Sequence, residues 1–287
     1  MFRRIMTAAL ATLVSGSLFV AGSFMVMNFI TEKESFRTEF KQDVVIRPEI
    51  SGGIDTQYIS ETDGNLLRRV DFDVLVRDHK NPDIAAWVYI PETEPIPIDL
   101  PVMQEPAGQP DGEYYYLWRN ADRVEDKSSG GSIFMPYVPL DEDEDPGMVQ
   151  VMFGHRMRNR ELAFSSLKYF LEQEYLDAHP YVYVYYPDRA ERYAVWAGCN
   201  AHYLDEIYRS YPVYEKGSAG YRLLLEHVAN DLAKSASDIP VTEDDRMLVL
   251  STCYQDDTRM LVACILDKTY YYENDFDSED GREDEAQ

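Results

Sequence analysis

Apolar residues along the chain fall into two kinds of run: short alternating stretches broken by Pro, Gly and Asp, and a few longer stretches at helical spacing. A period of two marks half-buried strands, and a period near 3.6 marks helices packed on a core. The strand-like runs are Trp87 to Ile90, Ile98 to Met103, Tyr114 to Trp118, Ser132 to Met135, Met148 to Phe153, Tyr181 to Tyr186, Glu191 to Ala197, Leu248 to Cys253 and Met260 to Leu266. Leu66, Leu67, Val70, Val74 and Leu75 lie near helical spacing, which predicts a helix opening at Gly64-Asn65 and ending by Asn81-Pro82. The spacing recurs from Phe164 to Tyr175 and from Tyr221 to Lys234, the latter with Leu224, Leu225, Val228 and Leu232 on one face. So many strands at short intervals predict a mostly β chain with helices, its sheet closed into a barrel.

The ends of the chain follow different rules. Ile5 to Ile30 carries no charged side chain; as a helix rising about 1.5 Å per residue it spans about 39 Å, enough for a hydrocarbon core of roughly 30 Å with some tilt. Arg3 and Arg4 precede it, so the positive-inside rule places residues 1–4 in the cytoplasm and everything after Thr31 outside the cell membrane. The competing reading is a cleaved leader ending near Ala21-Gly22-Ser23. Residues 31–65 are polar, with Pro48 and Gly52-Gly53, and read as a stalk with some helix near Glu34 to Gln42. One folded domain then covers 66–272, and 273–287 is an acidic tail.

Charge narrows the partners. The chain has 27 Lys and Arg against 52 Asp and Glu, a net charge of −25, which repels phosphate backbones and anionic lipid heads and argues against nucleic acid. Asp141-Glu142-Asp143-Glu144-Asp145 and the tail read as solvated chain, since neither has the spacing of a calcium loop. No pair of histidines has the spacing of a zinc site, and neither a metal nor any other cofactor is expected.

Candidate chemistry lies at one strand end. Leu248-Val249-Leu250-Ser251-Thr252-Cys253 reads as a strand reaching the surface, Tyr254 to Thr258 as a turn, and the run from Met260 as the returning strand. A hairpin of this kind sets Cys253 beside Arg259. Cys199 and Cys264 sit in apolar runs as small hydrophobes, whereas Cys253 ends beside polar residues, where a thiolate can be stabilised. Val149 to Gly154 reads as a strand delivering His155 to a loop. Cys253 then suits the nucleophile, His155 the acid and base, and Arg259 the fixed charge that meets an oxyanion. The plainer alternatives are that His155 is a surface residue of its Arg-rich loop and that Arg259 pairs with Asp256 or Asp257. His79, His179, His202 and His227 show no comparable context.

These segments also carry a resemblance. Leu-Ser-Thr-Cys with its downstream Arg259, Phe153-Gly154-His155-Arg156-Met157 followed by Phe164-Ser165-Ser166-Leu167-Lys168, the stretch Asn81 to Pro91, Gly131-Ser132-Ile133-Phe134 and Val241 to Arg246 resemble the signature segments of sortases in family order. The helix before the cysteine strand points to class B. The resemblance implies a sortase-type barrel of about eight strands with N-terminal helices. It implies a cysteine transpeptidase that cleaves a C-terminal sorting motif of secreted proteins and joins the new carboxyl end to an amine of a cell-wall precursor or a pilin. It also implies substrate contacts at Ser132, Ser251 and Thr252. Two other classes stay open: a membrane-tethered cysteine hydrolase of wall peptides, whose nucleophile normally precedes its histidine, and a non-catalytic acidic binding module.

Overall fold

The structure, a computed structural model, describes residues 45–46 and 61–272 apart from 95–96, 108–114, 126–130, 138–146, 155–162, 209–213 and 256, and all of these belong to the unit Asp43–Gln287. The expected anchor, the stalk helix near Glu34 to Gln42, the run Asp141 to Asp145 and the tail from Glu273 lie outside the described residues. Among the described residues no helix is long and apolar enough to cross a membrane.

The described strands are β1 (Val45–Ile46), β2 (Arg69–Val70), β3 (Ile84–Ile90), β4 (Ile98–Gln104), β5 (Ile133–Met135), β6 (Val149–Gly154), β7 (Tyr181–Tyr185), β8 (Arg189–His202), β9 (Ala233–Ala236), β10 (Met247–Gln255) and β11 (Thr258–Tyr271). The first two form a small antiparallel pair. The other described strands form one sheet in the order β11-β10-β6-β5-β4-β3-β7-β8-β9, and β11 also pairs with β8, so eight of the nine close into a barrel with β9 appended. Closure leaves the barrel strands without open edges. The pairs β4–β5 and β6–β10 are parallel and the others antiparallel, so the barrel is mixed.

Alternation along the strands makes two cores. Val149, Val151, Ala197, Cys199, Val249, Leu261 and Ala263 face a layer formed by Ile207, Tyr214, Tyr221, Leu224, Val228 and Leu232. The intervening positions Leu248, Leu250, Val262 and Cys264 are equally buried and face the barrel interior. Cys199 and Cys264 therefore lie on opposite faces of the sheet, and among the described residues both are free thiols.

Four sequence expectations need correction. The helix foreseen from Gly64-Asn65 to Asn81-Pro82 is two helices, α1 (Glu61–Leu66) and α2 (Phe72–His79), separated by β2. Asp71 starts the second one, its carboxylate accepting the Val74 amide at 2.9 Å, while Val70 pairs with Val45. The strand expected from Tyr114 to Trp118 does not form over its described residues. These make a 3-10 turn, Tyr115–Trp118, because the place beside β4 goes to β5 and Tyr116 turns into a buried network. There Tyr116 donates to Asp83 Oδ2 at 2.6 Å and accepts from Asn81 Nδ2 at 3.0 Å, and Asn81 Nδ2 also donates to the Ala121 carbonyl at 2.6 Å.

The third correction concerns Phe164 to Tyr175, which divides into a 3-10 segment, Ala163–Leu171, and α3 (Gln173–Ala178). The Phe170 carbonyl accepts a hydrogen bond from Ser235 Oγ instead of continuing a helical ladder. A Cβ at Gly198 would lie 1.9 Å from that same carbonyl oxygen, so only glycine fits there. Fourth, Tyr221 to Lys234 is α4 (Ala219–His227), a π-helical turn (Val228–Leu232) and then β9. The last residues leave the helix because Ala233, Ser235 and Ala236 pair with Cys199, Gly198 and Ala197 along β8.

Candidate active site

The site is built where β6, β10, β11 and β8 finish side by side. Thr252 pairs with Gly154 on one side and with Met260 on the other; one position further, Cys253 pairs with Arg259, which pairs in turn with Ala201. Directly opposed residues of an antiparallel pair stand about 4.5–5.5 Å apart at Cα. β10 runs on to Gln255 with an irregularity after Cys253, so the connection to β11 is tighter than the turn expected from Tyr254 to Thr258.

His155 lies outside the described residues, as does Asp256. The residue before His155 is nevertheless placed: Gly154 ends β6 opposite Thr252, the residue before Cys253. Gly154 has a steric reason to be glycine, since a Cβ there would lie 2.5 Å from the Phe164 ring. That ring is fully buried, and its 3-10 segment packs against β4, β8, β10 and β11.

Ser251 and Thr252 are buried, at 0% and 2% exposure. Ser251 Oγ shares a hydrogen bond of 3.0 Å with the Tyr208 hydroxyl, in which either oxygen can donate. The Tyr208 ring packs on Phe153 with centroids 5.9 Å apart, and Phe153 packs on Phe134 at 5.7 Å. Burial pushes the Tyr208 hydroxyl pKa well up, only partly offset by the Ser251 hydrogen bond and the nearby charge of Arg259, so the hydroxyl stays neutral. Thr252 Oγ1 has no hydrogen-bond partner among the described residues, as is also true of Asn200 Oδ1 across Met260. Ser132 precedes β5, with its Oγ donating to the Arg119 carbonyl at 2.9 Å and its amide to the Tyr116 carbonyl at 3.0 Å, so its donors are used within the fold.

The structure thus brings Cys253, Arg259, Ser251 and Thr252 to one end of neighbouring strands and puts Ser132 on the loop before β5. Tyr208 was not foreseen. Its segment Glu206–Tyr208 is a short 3-10 turn in a polar stretch, with no periodicity to mark it. Cys199 is unsuited to nucleophilic work, since burial pushes its thiol up to about 12, and burial pushes Cys264 higher still. Among the described residues no three His, Cys, Asp or Glu side chains cluster to hold a metal ion.

No protein-family model and no curated protein matches the chain. Solved structures do. Sortase B of Staphylococcus aureus, solved as a complex with its substrate, is 21% identical over 69% of this chain and 85% of its own, with a TM-score of 0.55. Clostridium perfringens sortase B is 22% identical over 69% of this chain and 100% of its own, with a TM-score of 0.57. A Streptococcus pyogenes class B sortase involved in pilus biogenesis is 20% identical over 69% of this chain and 98% of its own, at 0.56. The fold is that of a class B sortase. The closed, mixed eight-stranded barrel with a few helices matches the sortase fold.

Proposed function

We propose that the chain is a cysteine transpeptidase, anchored by residues 5–30 with its 66–272 domain outside the membrane. The observation that carries this reading is the register at the barrel end, with Cys253 opposite Arg259 and Thr252 opposite Gly154, the residue before His155. Attack on an amide carbonyl needs a thiolate, and an ordinary thiol of pKa about 8.5 is mostly protonated near neutrality. The Cys253 sulfur adds to the carbonyl carbon of a sorting motif. Arg259 meets the negative oxygen of the tetrahedral intermediate with a planar, always-charged fork. His155 protonates the departing amine, leaving a thioacyl enzyme, and then takes the proton from the incoming amine of a wall precursor or pilin. No step uses a metal or other cofactor. The solved complex of S. aureus sortase B with its substrate supports binding of a peptide substrate, and the sortase B complex with triglycine supports an amine acceptor.

The test is incubation of the protein with Asn-Pro-x-Thr-type and Leu-Pro-x-Thr-Gly-type peptides and an amine, with products read by mass. A peptide–amine conjugate that is absent from Cys253→Ala supports the reading. Hydrolysis alone, with no conjugate at any amine concentration, would replace it with a cysteine hydrolase, and no product of either kind with a binding module.

A further inference from the structure

His227, which sequence context left without a role, is built into a charged bridge. Its Nε2 lies 3.1 Å from Asp205 Oδ2 and 3.3 Å from Oδ1, and its Nδ1 lies 2.7 Å from Asp231 Oδ2. A neutral imidazole has only one N–H to donate, so only the imidazolium satisfies both carboxylates at once. Burial opposes that charge, but hydrogen bonds to Asp231 and Asp205 outweigh it and hold the His227 pKa above its ordinary value. The side chain is 32% exposed, so its proton exchanges with solvent.

Each carboxylate belongs to a different local device. Asp231 lies in the π-helical turn Val228–Leu232 that continues α4. Asp205 organises the turn Glu206–Tyr208: its Oδ1 accepts from the Ile207 amide at 3.1 Å, and its carbonyl from the Tyr208 amide at 3.1 Å. Tyr208 then reaches Ser251 Oγ at 3.0 Å, two positions before Cys253 on β10. Other charged or titratable groups lie near Asp205. Its charge acts on the Cys199 thiol of β8, which Lys234 of β9 opposes, and on the Tyr208 hydroxyl, which Arg259 opposes.

We propose that protonated His227 is a positioning residue: by clamping Asp205 to the end of α4 it holds the Glu206–Tyr208 turn, and through Tyr208 it steadies the Ser251–Cys253 end of β10. Only its effect on turnover rests on the transpeptidase reading. The sign follows from the raised pKa. The clamp is complete below the ordinary histidine value of about 6.5 and is released as pH rises through the higher folded value.

The test uses the full-length chain labelled at histidine Cε1, titrated from about pH 5 to about pH 9 across the ordinary histidine range. The His227 midpoint should lie above the ordinary value and fall in both Asp231→Asn and Asp205→Asn. Exchange of the Ile207 amide, corrected for its intrinsic pH dependence, should speed up above the midpoint in the unmodified chain and lose that step in His227→Gln. In turnover of a sorting peptide, the KM of His227→Gln relative to the unmodified chain should be raised on the order of fivefold below the midpoint and converge to unity above it, at the low end of couplings between linked sites. A midpoint at or below the ordinary value overturns the clamp, and so does a KM ratio constant with pH while the Ile207 amide stays unmoved. If the unmodified chain turns over no peptide, the transpeptidase reading falls, and the titration and exchange data still decide the clamp. Should His227→Gln fail to fold, the Asp231→Asn midpoint alone decides.

Discussion

Tyr208 and Ser251 are joined by a 3.0 Å hydrogen bond between two hydroxyls, one from a 3-10 turn and the other from the strand that carries Cys253. The bond links the insertion between β8 and β10 to the candidate catalytic strand. Tyr208→Phe keeps the ring against Phe153 and removes only the hydroxyl, leaving the buried Ser251 oxygen without that partner. A loss of about 1–2 kcal/mol is expected, or a fall in Tm of roughly 2–8 °C. Calorimetry showing no change in Tm would mean that water replaces the tyrosine hydroxyl at no net loss.

The three cysteines should separate cleanly in a labelling experiment. Cys199 and Cys264 are both fully buried, and burial holds the Cys199 thiol protonated up to about pH 12. An alkylating reagent near neutral pH should therefore modify Cys253 alone in the native protein and all the cysteines in denaturant. Mass spectrometry finding alkylated Cys199 in the native state would contradict the burial described here. Cys253→Ala should end peptide cleavage with the fold intact, whereas Cys199→Ala and Cys264→Ala should lower stability by about 1–2 kcal/mol and spare activity.

Arg259 is assigned to the oxyanion through its register with Cys253. Arg259→Ala should slow turnover of a sorting peptide by roughly a hundredfold, the scale of a lost oxyanion donor. Arg259→Lys should recover little of this, because an ammonium does not reproduce the guanidinium fork. Near-full activity of the lysine variant in steady-state kinetics would reduce the role to diffuse charge.

Asn81 anchors a network far from Cys253 in sequence. Its Oδ1 accepts from the Asp83 amide and from Arg123 Nε, each at 3.0 Å, while its Nδ2 serves Tyr116 and Ala121. Asn81→Ala strands several of these buried groups and should cost about 3 kcal/mol or more. Asp122→Ala removes only the half-exposed partner of His79 and should stay within roughly 0.5 kcal/mol. Urea unfolding of both variants checks the contrast, and equal losses would show that the network is not where the stability resides.

Gly198 offers a purely steric test. A Cβ would approach the Phe170 carbonyl oxygen to 1.9 Å, so Gly198→Ala should destabilise by about 1–3 kcal/mol, the usual range for overpacking a core. A neutral result in thermal melts would show that the 3-10 segment Ala163–Leu171 can back away from β8.

The sequence by itself determined the class of fold, the strand that bears Cys253 and the pairing of Cys253 with Arg259. Those follow from local rules: alternation marks a strand, and a short polar break between two apolar runs makes a hairpin, so register follows from connectivity. The apolar spacing, by contrast, ran through Asp71, whose capping of α2 only the structure shows. Tertiary structure decided the rest. Ala233 to Ala236 left their helix to pair with Ala197 to Cys199, the stretch of β8 that runs beyond its pairing with β7, and Tyr115 to Trp118 left the sheet because β5 took the place beside β4. Asp231 stands four residues after His227 on the continuing helix, a pair that local spacing brings together, whereas Asp205 comes from a separate turn that meets His227 only when α4 packs onto the barrel. Periodicity reports which face of an element is apolar; it carries no information about which polar groups from distant elements meet when those faces are buried.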